Sequence, residues 1–292
     1  MVEIEKELFQ EELEARERFV IDQFSRAGLD IRAYPELFER FKHLHGPESK
    51  HFEDSVQIVE IIDAIWGELE KKLPFKLDKE KLILSTLLHD VGKSGPATAN
   101  SEEQNLIIEL FNPCHYQNVL QKGEIKQISV LCILQDSDID PNVQQKIVEY
   151  LNKLGINVGA EKMIDFWRRH ADWTFDILLQ NQGGKITSEI AAIAASHHIL
   201  DGKNPAHLEY ENIPGEAKTM EVIESYEVLT LVDKFQAFVK RSGLSHEESV
   251  KVLEQIIDEQ PLPEKVKNDY HVILKIIGGS KDKLQNILKL RL

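Results

Sequence analysis

At 292 residues the chain is long enough for one large domain or two ordinary ones, with enough apolar sequence for a sizeable core. Its formal net charge of -15 argues against duplex nucleic acid and against an anionic membrane as partners, and leaves room for a small anionic substrate where metal ions supply positive charge locally. No apolar run approaches the length of a bilayer span, and the start Met1-Val2-Glu3-Ile4-Glu5-Lys6 lacks the layout of a signal peptide, so a cytoplasmic protein is expected.

From Val2 to about Ser25, Ile4, Leu8, Phe9, Leu13, Val20, Ile21 and Phe24 recur at helical spacing with charges between them. This amphipathic helix has two expected uses: packing on its own domain, or joining a second copy of the chain as a homodimer. A short helix around Pro35 to Phe41 follows, then the turn Gly46-Pro47. The pattern next predicts a helix from about His51 to Lys72, with Ser55, Ile58, Val59, Ile62 and Trp66 behind His51 on one face. His43 and His45 read as surface or packing histidines.

Asp78 is a fair N-cap for a helix that carries Leu82, Ile83, Leu84, Leu87 and Leu88 into His89-Asp90, with Gly92 ending it. Between Pro96 and Gly159 the periodicity weakens, although 107–111, 128–134 and 143–154 each read as helix. The β-branched run Ile128-Ser129-Val130-Leu131-Cys132-Ile133 leaves a strand conceivable there. Cys114 and Cys132 belong to no C-x-x-C pair and are expected as buried or partly buried free thiols.

The helix from about Glu161 to Gln180 places His170 among Met163, Phe166, Trp167, Trp173, Thr174 and Ile177 on an apolar face. A helix of small residues, 190–195, ends in Ser196-His197-His198 and a polar turn, Asp201-Gly202-Lys203-Asn204-Pro205. A further helix sets Asp233 in an apolar stripe with Val222, Tyr226, Leu229 and Ala237, and a buried carboxylate needs a cation. The tail holds a capping box, Ser245 with Glu248, and more helix. The fold class expected is therefore all-α.

His51, His89 with Asp90, His170, His197 with His198, and Asp233 each end an expected helix or line its inward face. Imidazole and carboxylate without thiolate suit iron, manganese, zinc or related divalent ions, and the number of donors exceeds what one ion requires. Two divalent ions are expected, iron or manganese, with Asp90 as the natural bridge between them.

This order of His, His-Asp, His, His-His and Asp resembles the HD superfamily of metal-dependent phosphohydrolases, and more narrowly its HD-GYP branch, whose members hydrolyse cyclic dinucleotides such as cyclic di-GMP. The resemblance rests on His89-Asp90-Val91-Gly92-Lys93, on Phe166-Trp167-Arg168-Arg169-His170, on His197-His198 with Asp201-Gly202 and Pro205, and on Leu231-Val232-Asp233-Lys234-Phe235-Gln236-Ala237. It covers residues from about 48 to 275, less 97–158. It implies an HD-type helical bundle over 46–242 with an insertion at about 97–158, an N-terminal helical segment over 1–45 and a C-terminal helical extension over 243–292.

The chain departs from that family in places. Ile199 stands where a glutamate usually follows the paired histidines, Lys203-Asn204-Pro205 replaces Gly-Tyr-Pro, and Pro47 holds the place of a glutamate one turn before His51, with Glu48 beside it. Ser55 replaces the valine four residues after that histidine.

The reading implied is a phosphodiesterase with a two-metal centre, which generates its nucleophile from water and stabilises phosphoryl charge. Lys93 would donate to a non-bridging phosphate oxygen, and Arg168, Arg169 and Lys203 are weaker candidates for substrate phosphates. The alternatives are an HD-fold diiron oxygenase acting on a small organic substrate, and a non-catalytic HD-GYP-like domain that senses a nucleotide.

Overall fold

The computed structural model describes residues 2–46, 49–73, 77–116, 127–201 and 220–289. The chain is all-α: thirteen α-helices and no strand are found among those residues. They are α1 (Val2–Arg26), α2 (Pro35–Leu44), α3 (His51–Lys72), α4 (Lys79–Leu88), α5 (Ser101–Phe111), α6 (Val130–Gln135), α7 (Pro141–Lys153), α8 (Met163–Gln180), α9 (Ser188–Ala195), α10 (Met220–Arg241), α11 (His246–Glu259), α12 (Glu264–Gly279) and α13 (Lys281–Lys289).

Local chemistry sets many of these boundaries. Asp78 caps α4 by accepting from the Lys81 amide at 3.1 Å. Full capping boxes start α5, from Asn100 and Glu103, and α11, from Ser245 and Glu248. The β-branched run at 128–133 resolves as helix because the Ser129 hydroxyl caps α6, accepting from the Cys132 amide at 3.3 Å. Pairing in that stretch is confined to one isolated antiparallel bridge between Ser129 and Lys162.

Two apolar cores organise the packing. The larger draws on α1 to α4, the second half of α8, and α9 to α13, from Val20 and Phe24 through Leu284 and Leu288. The smaller gathers the helices between 97 and 158 and the start of α8: Ile107 and Leu110 of α5, Val130 and Ile133 of α6, Ile147 and Leu151 of α7, and Met163 and Phe166 of α8. Helix α8 belongs to both, with Phe166 in one core and Ile177 in the other. His170 sits at the junction.

Details of the interior differ from the sequence pattern. On α3 the fully buried apolar positions are Ile58, Ile61, Ile62, Ile65 and Leu69, whereas Val59 and Trp66 are only partly covered. The helix is enclosed on a face wider than one stripe, and Trp66 instead lies under the Lys79 ammonium, 5.6 Å from its ring centre. The second half of α1 packs on its own domain, burying Val20 and Phe24 while Phe19 stacks on His45 at 4.5 Å. Cys114 and Cys132 are free, and both are exposed rather than buried: Cys114 lies in a 3-10 turn, Pro113–Tyr116, and Cys132 on the outer side of α6. No helix among the described residues is long and apolar enough to cross a membrane.

Candidate metal centre

The site is built where α4 stops. Helix α4 ends at Leu88, His89 is its C-cap, and Asp90 leads into a 3-10 turn, Val91–Ser94, that carries Lys93. This turn lies directly against the backbone of α8. A Cβ added at Gly92 would stand 2.0 Å from the His170 carbonyl oxygen and 2.6 Å from the Thr174 amide nitrogen, so only glycine allows the approach. The sequence pattern assigns Gly92 to ending a helix; the structure shows that the turn needs it to dock. Thr174 locks the contact, its hydroxyl donating to the His89 carbonyl at 2.9 Å and accepting from the Gly92 amide at 3.0 Å.

A common device orients three of the imidazoles. His89 Nδ1 lies 2.7 Å from the Thr86 carbonyl oxygen, His197 Nδ1 lies 2.7 Å from that of Ala194, and His170 Nδ1 bonds to that of Trp167. A carbonyl only accepts, so each Nδ1 carries the proton and donates it to the residue three positions earlier. Each Nε2 is then left with a lone pair aimed into the site, the tautomer of a metal-binding histidine.

Around Asp90 these nitrogens fall into two sets. Asp90 Oδ1 is 3.2 Å from His170 Nε2 and 3.8 Å from His197 Nε2. His170 Nε2 is in turn 2.8 Å from His197 Nε2 and 3.2 Å from His198 Nε2. The other oxygen, Oδ2, is 3.4 Å from His89 Nε2, which is 3.9 Å from Asp233 Oδ1. One carboxylate thus offers one oxygen to an imidazole trio and the other to a mixed imidazole and carboxylate set.

His51 borders the second set, at the head of α3. It feels the charges of Asp90 and Lys93, and its Nε2 is buried with no hydrogen-bond partner among the described residues. His89 Nε2 is orphaned in the same way.

Burial shapes the electrostatics. His51, His89, Asp90, Lys93, His170 and His197 are buried, while Asp233 and His198 are partly exposed and mark the open edge. Burial, helped by the Lys93 charge, lowers the His51 pKa to about 3. Burial likewise lowers His170 to about 4, against its hydrogen bond to Asp90, and holds His197 well below the usual histidine range. For Asp90, burial works to raise the pKa, but His89, Lys93 and His170 more than offset it and keep the carboxyl well below the carboxylate range.

These residues fit divalent cations on their own chemistry. Two neutral imidazoles whose Nδ1 protons are committed to carbonyls present lone pairs to each other across 2.8 Å, an arrangement that a cation resolves. A buried proton would be a poor substitute, since the site disfavours the imidazolium. The residues His89, Asp90 and His197, and separately His170, His197 and His198, place donor atoms within 4.8 Å of one another.

The weaker candidates sort differently. Arg169 Nε is held by Glu161 at 2.8 Å and Arg168 Nη1 stands 3.9 Å from Asp165, so each guanidinium faces a carboxylate on or beside its own helix. Lys203 and Glu48 lie outside the described residues. Ile199 is buried.

Other residues emerge only from the fold. Asp54, one turn after His51, gathers the end of α10: Lys240, Arg241 at 3.4 Å and the Gln236 amide at 3.4 Å. Arg241 is about half exposed and feels Asp54, Asp233 and Asp90 together, which makes it a cation at the open edge of the site. Its signal in the sequence was the pair Lys240-Arg241 two turns beyond Asp233 on one helix. Arg40 is wholly buried on α2 and donates to Ser94 Oγ at 2.9 Å and to the carbonyls of Pro96 and Ala97 at 3.0 Å each, pinning the chain just after Lys93. Nothing local in the sequence distinguishes Arg40 from a surface charge. No protein-family model, no curated protein and no solved structure matches the chain, so the donor geometry itself carries the functional reading.

Proposed function

We propose that this chain is a metal-dependent phosphohydrolase of the HD kind, a phosphodiesterase acting on a cyclic dinucleotide such as cyclic di-GMP, or on a related nucleotide, through a binuclear centre. The observation that carries the reading is the convergence of His51, His89, Asp90, His170, His197, His198 and Asp233, drawn from five helices or their ends, with the two oxygens of Asp90 turned to different donor sets. Iron or manganese fits the imidazole and carboxylate donors. A bound pair of such ions supplies the nucleophile from water and positive charge for the phosphoryl group.

The chain's own residues do the rest. The Nδ1 bonds to Thr86, Trp167 and Ala194 fix three ligands in orientation without help from solvent. Lys93, buried beside Asp90, is placed to donate to a phosphoryl oxygen where transition-state charge grows. Arg241 gives an otherwise acidic protein a cation at the open edge, suited to the flanking charge of a nucleotide.

Full-length protein loaded with manganese or iron is expected to hydrolyse bis(p-nitrophenyl) phosphate and cyclic dinucleotides, and Asp90→Ala is expected to abolish both activities. Hydrolysis that survives Asp90→Ala unchanged would end the proposal. Nucleotide binding without turnover at any metal loading would point to the sensing role. A diiron oxygenase acting on a small organic substrate is the second reading, favoured by the near-complete burial of His51, His89, His170 and His197. Consumption of dioxygen by the iron-loaded protein separates it from the first.

A further inference from the structure

The two oxygens of Asp90 have unequal company. Oδ1 faces the imidazoles of His170 and His197. Oδ2 faces His89, but it also holds the Lys93 ammonium at 2.5 Å, inside the protein. Lys93 is fixed there by its own turn: its amide donates to the Asp90 carbonyl at 2.9 Å, and Arg40 clamps Ser94 immediately after it. The Lys93 charge bears on His51 as well, a buried donor of the same set.

A dication approaching the set of His51, His89, Asp90 and Asp233 therefore meets a cation already on the oxygen it needs. One approaching His170, His197 and His198 finds Oδ1 turned toward it. Charge repulsion at this range in a buried site is strong, whereas the imidazole trio meets the ammonium only across the width of the carboxylate. The sequence of events follows from that asymmetry.

We propose that Lys93 makes the centre fill in a fixed order: the trio of His170, His197 and His198 takes the first ion, and the second ion enters the His51, His89 and Asp233 set by displacing Lys93 from Asp90 Oδ2. The inference rests on the metal-centre reading above and adds a consequence to it. The released ammonium is then free to meet a phosphoryl oxygen, so the lysine becomes available to substrate only when both ions are in place. A partly loaded protein keeps it tied down.

Manganese titration of the metal-stripped full-length protein, followed by calorimetry and electron paramagnetic resonance, tests the order without any assay of activity. The wild type is expected to bind the first equivalent about tenfold or more tighter than the second. Its spectrum should be that of isolated ions at one equivalent and of coupled pairs at two. Lys93→Met is expected to tighten the second step about tenfold while moving the first by less than about threefold, and Lys93→Arg to keep the wild-type gap. His198→Ala should remove the first step. Coupled pairs from the first addition onward would overturn the proposal on the wild type alone, whether or not the variants fold. So would a Lys93→Met protein whose two steps shift together or not at all, or a His198→Ala protein that loses the second step and keeps the first. Absence of any manganese binding would remove the metal-centre reading itself, and this inference with it.

Discussion

The two cores of the molecule use their buried polar groups in opposite ways. In the larger core, inward positions on α3, α8 and α10 hold His51, His170, Glu224 and Gln236 among isoleucines and leucines, and the candidate metal donors are His51, His170, Asp233 of α10 and the residues that follow α4 and α9, His89, Asp90, His197 and His198. In the smaller core, formed by the helices between 97 and 158, the buried polar residues are Gln104 and Asn112, and they bond to their own neighbours, Gln104 donating to the Ala99 carbonyl and Asn112 accepting from the Cys114 amide. Residues 97–158 offer no donor to the candidate centre among the described residues. They nonetheless touch it, since Phe111 meets His170 edge-on at 5.5 Å and Trp167 donates to the Leu110 carbonyl at 2.9 Å. The difference is that one helix set holds the candidate donors while a neighbouring set braces one of them.

The larger core is most easily broken where the His89 and Asp90 turn docks on α8. Gly92→Ala places a methyl group 2.0 Å from a backbone oxygen that has no freedom to move, and is expected to cost about 4 kcal/mol and to separate His89 from His170. Urea unfolding together with manganese binding would show both losses; stability and binding within error of the wild type would refute the docking argument. A smaller break follows from Arg40→Met. The carbonyls of Pro96 and Ala97 and the Ser94 hydroxyl lose their partner in a buried place, at a cost of about 3 kcal/mol. Unfolding curves for the variant and the wild type measure it.

Helix boundaries, caps and most of the donor set were legible in the sequence because they follow from local rules. The pattern over 51–72 gives α3 to the residue, the capping residues Asp78 and Ser245 act as expected, and His89, Asp90, His170, His197, His198 and Asp233 come together. The pairing of donors with oxygens was not legible, since it depends on which face of Asp90 each helix meets. Arg40 was invisible for a related reason. Apart from Glu36 one turn back, its partners lie 54 to 57 positions away along the chain, and an i,i+4 pair on an amphipathic helix gives no hint of burial. Exposure of Cys132 was not legible, since standing outside a C-x-x-C pair says nothing of which side of the short helix α6 the thiol takes.

A third test sharpens the comparison by asking what a buried acid does in the larger core away from the metal donors. Glu227 on α10 is wholly buried, and neither carboxylate oxygen has a hydrogen-bond partner among the described residues. Burial, with Asp269 of α12 and Glu224 of its own helix adding repulsion against the weaker pull of Lys265, raises its pKa from 4.5 to about 9. Below pH 4.5 both folded and unfolded chains carry this proton. Between pH 4.5 and about 9 the unfolded chain gives it up while the folded one keeps it, so stability falls as pH rises, by as much as about 1.4 kcal/mol per unit. Glu227→Gln is expected to flatten that slope and to gain about 2 kcal/mol at pH 6 with little change at pH 4. Urea midpoints across the pH range decide it, and a variant slope equal to the wild-type slope would dismiss the neutral carboxyl.

The smallest expected effect tests the brace between the cores. Trp167 accepts the His170 Nδ1 proton on its carbonyl and donates its indole proton to the Leu110 carbonyl, so one residue links the end of α5 to a candidate metal donor. Trp167→Phe keeps a ring in the smaller core and keeps the carbonyl, and removes only the indole bond. The expected loss is about 1 kcal/mol, the net worth of one hydrogen bond in a partly buried place. If the insertion merely packs alongside, manganese affinity of the His170, His197 and His198 set should not change. If α5 holds α8 in register, that affinity should weaken by a few-fold while the step that displaces Lys93 stays where it was. A change confined to the second step would mean that the inserted helices act on the Asp233 side of the centre, which no contact of Phe111 or Trp167 predicts.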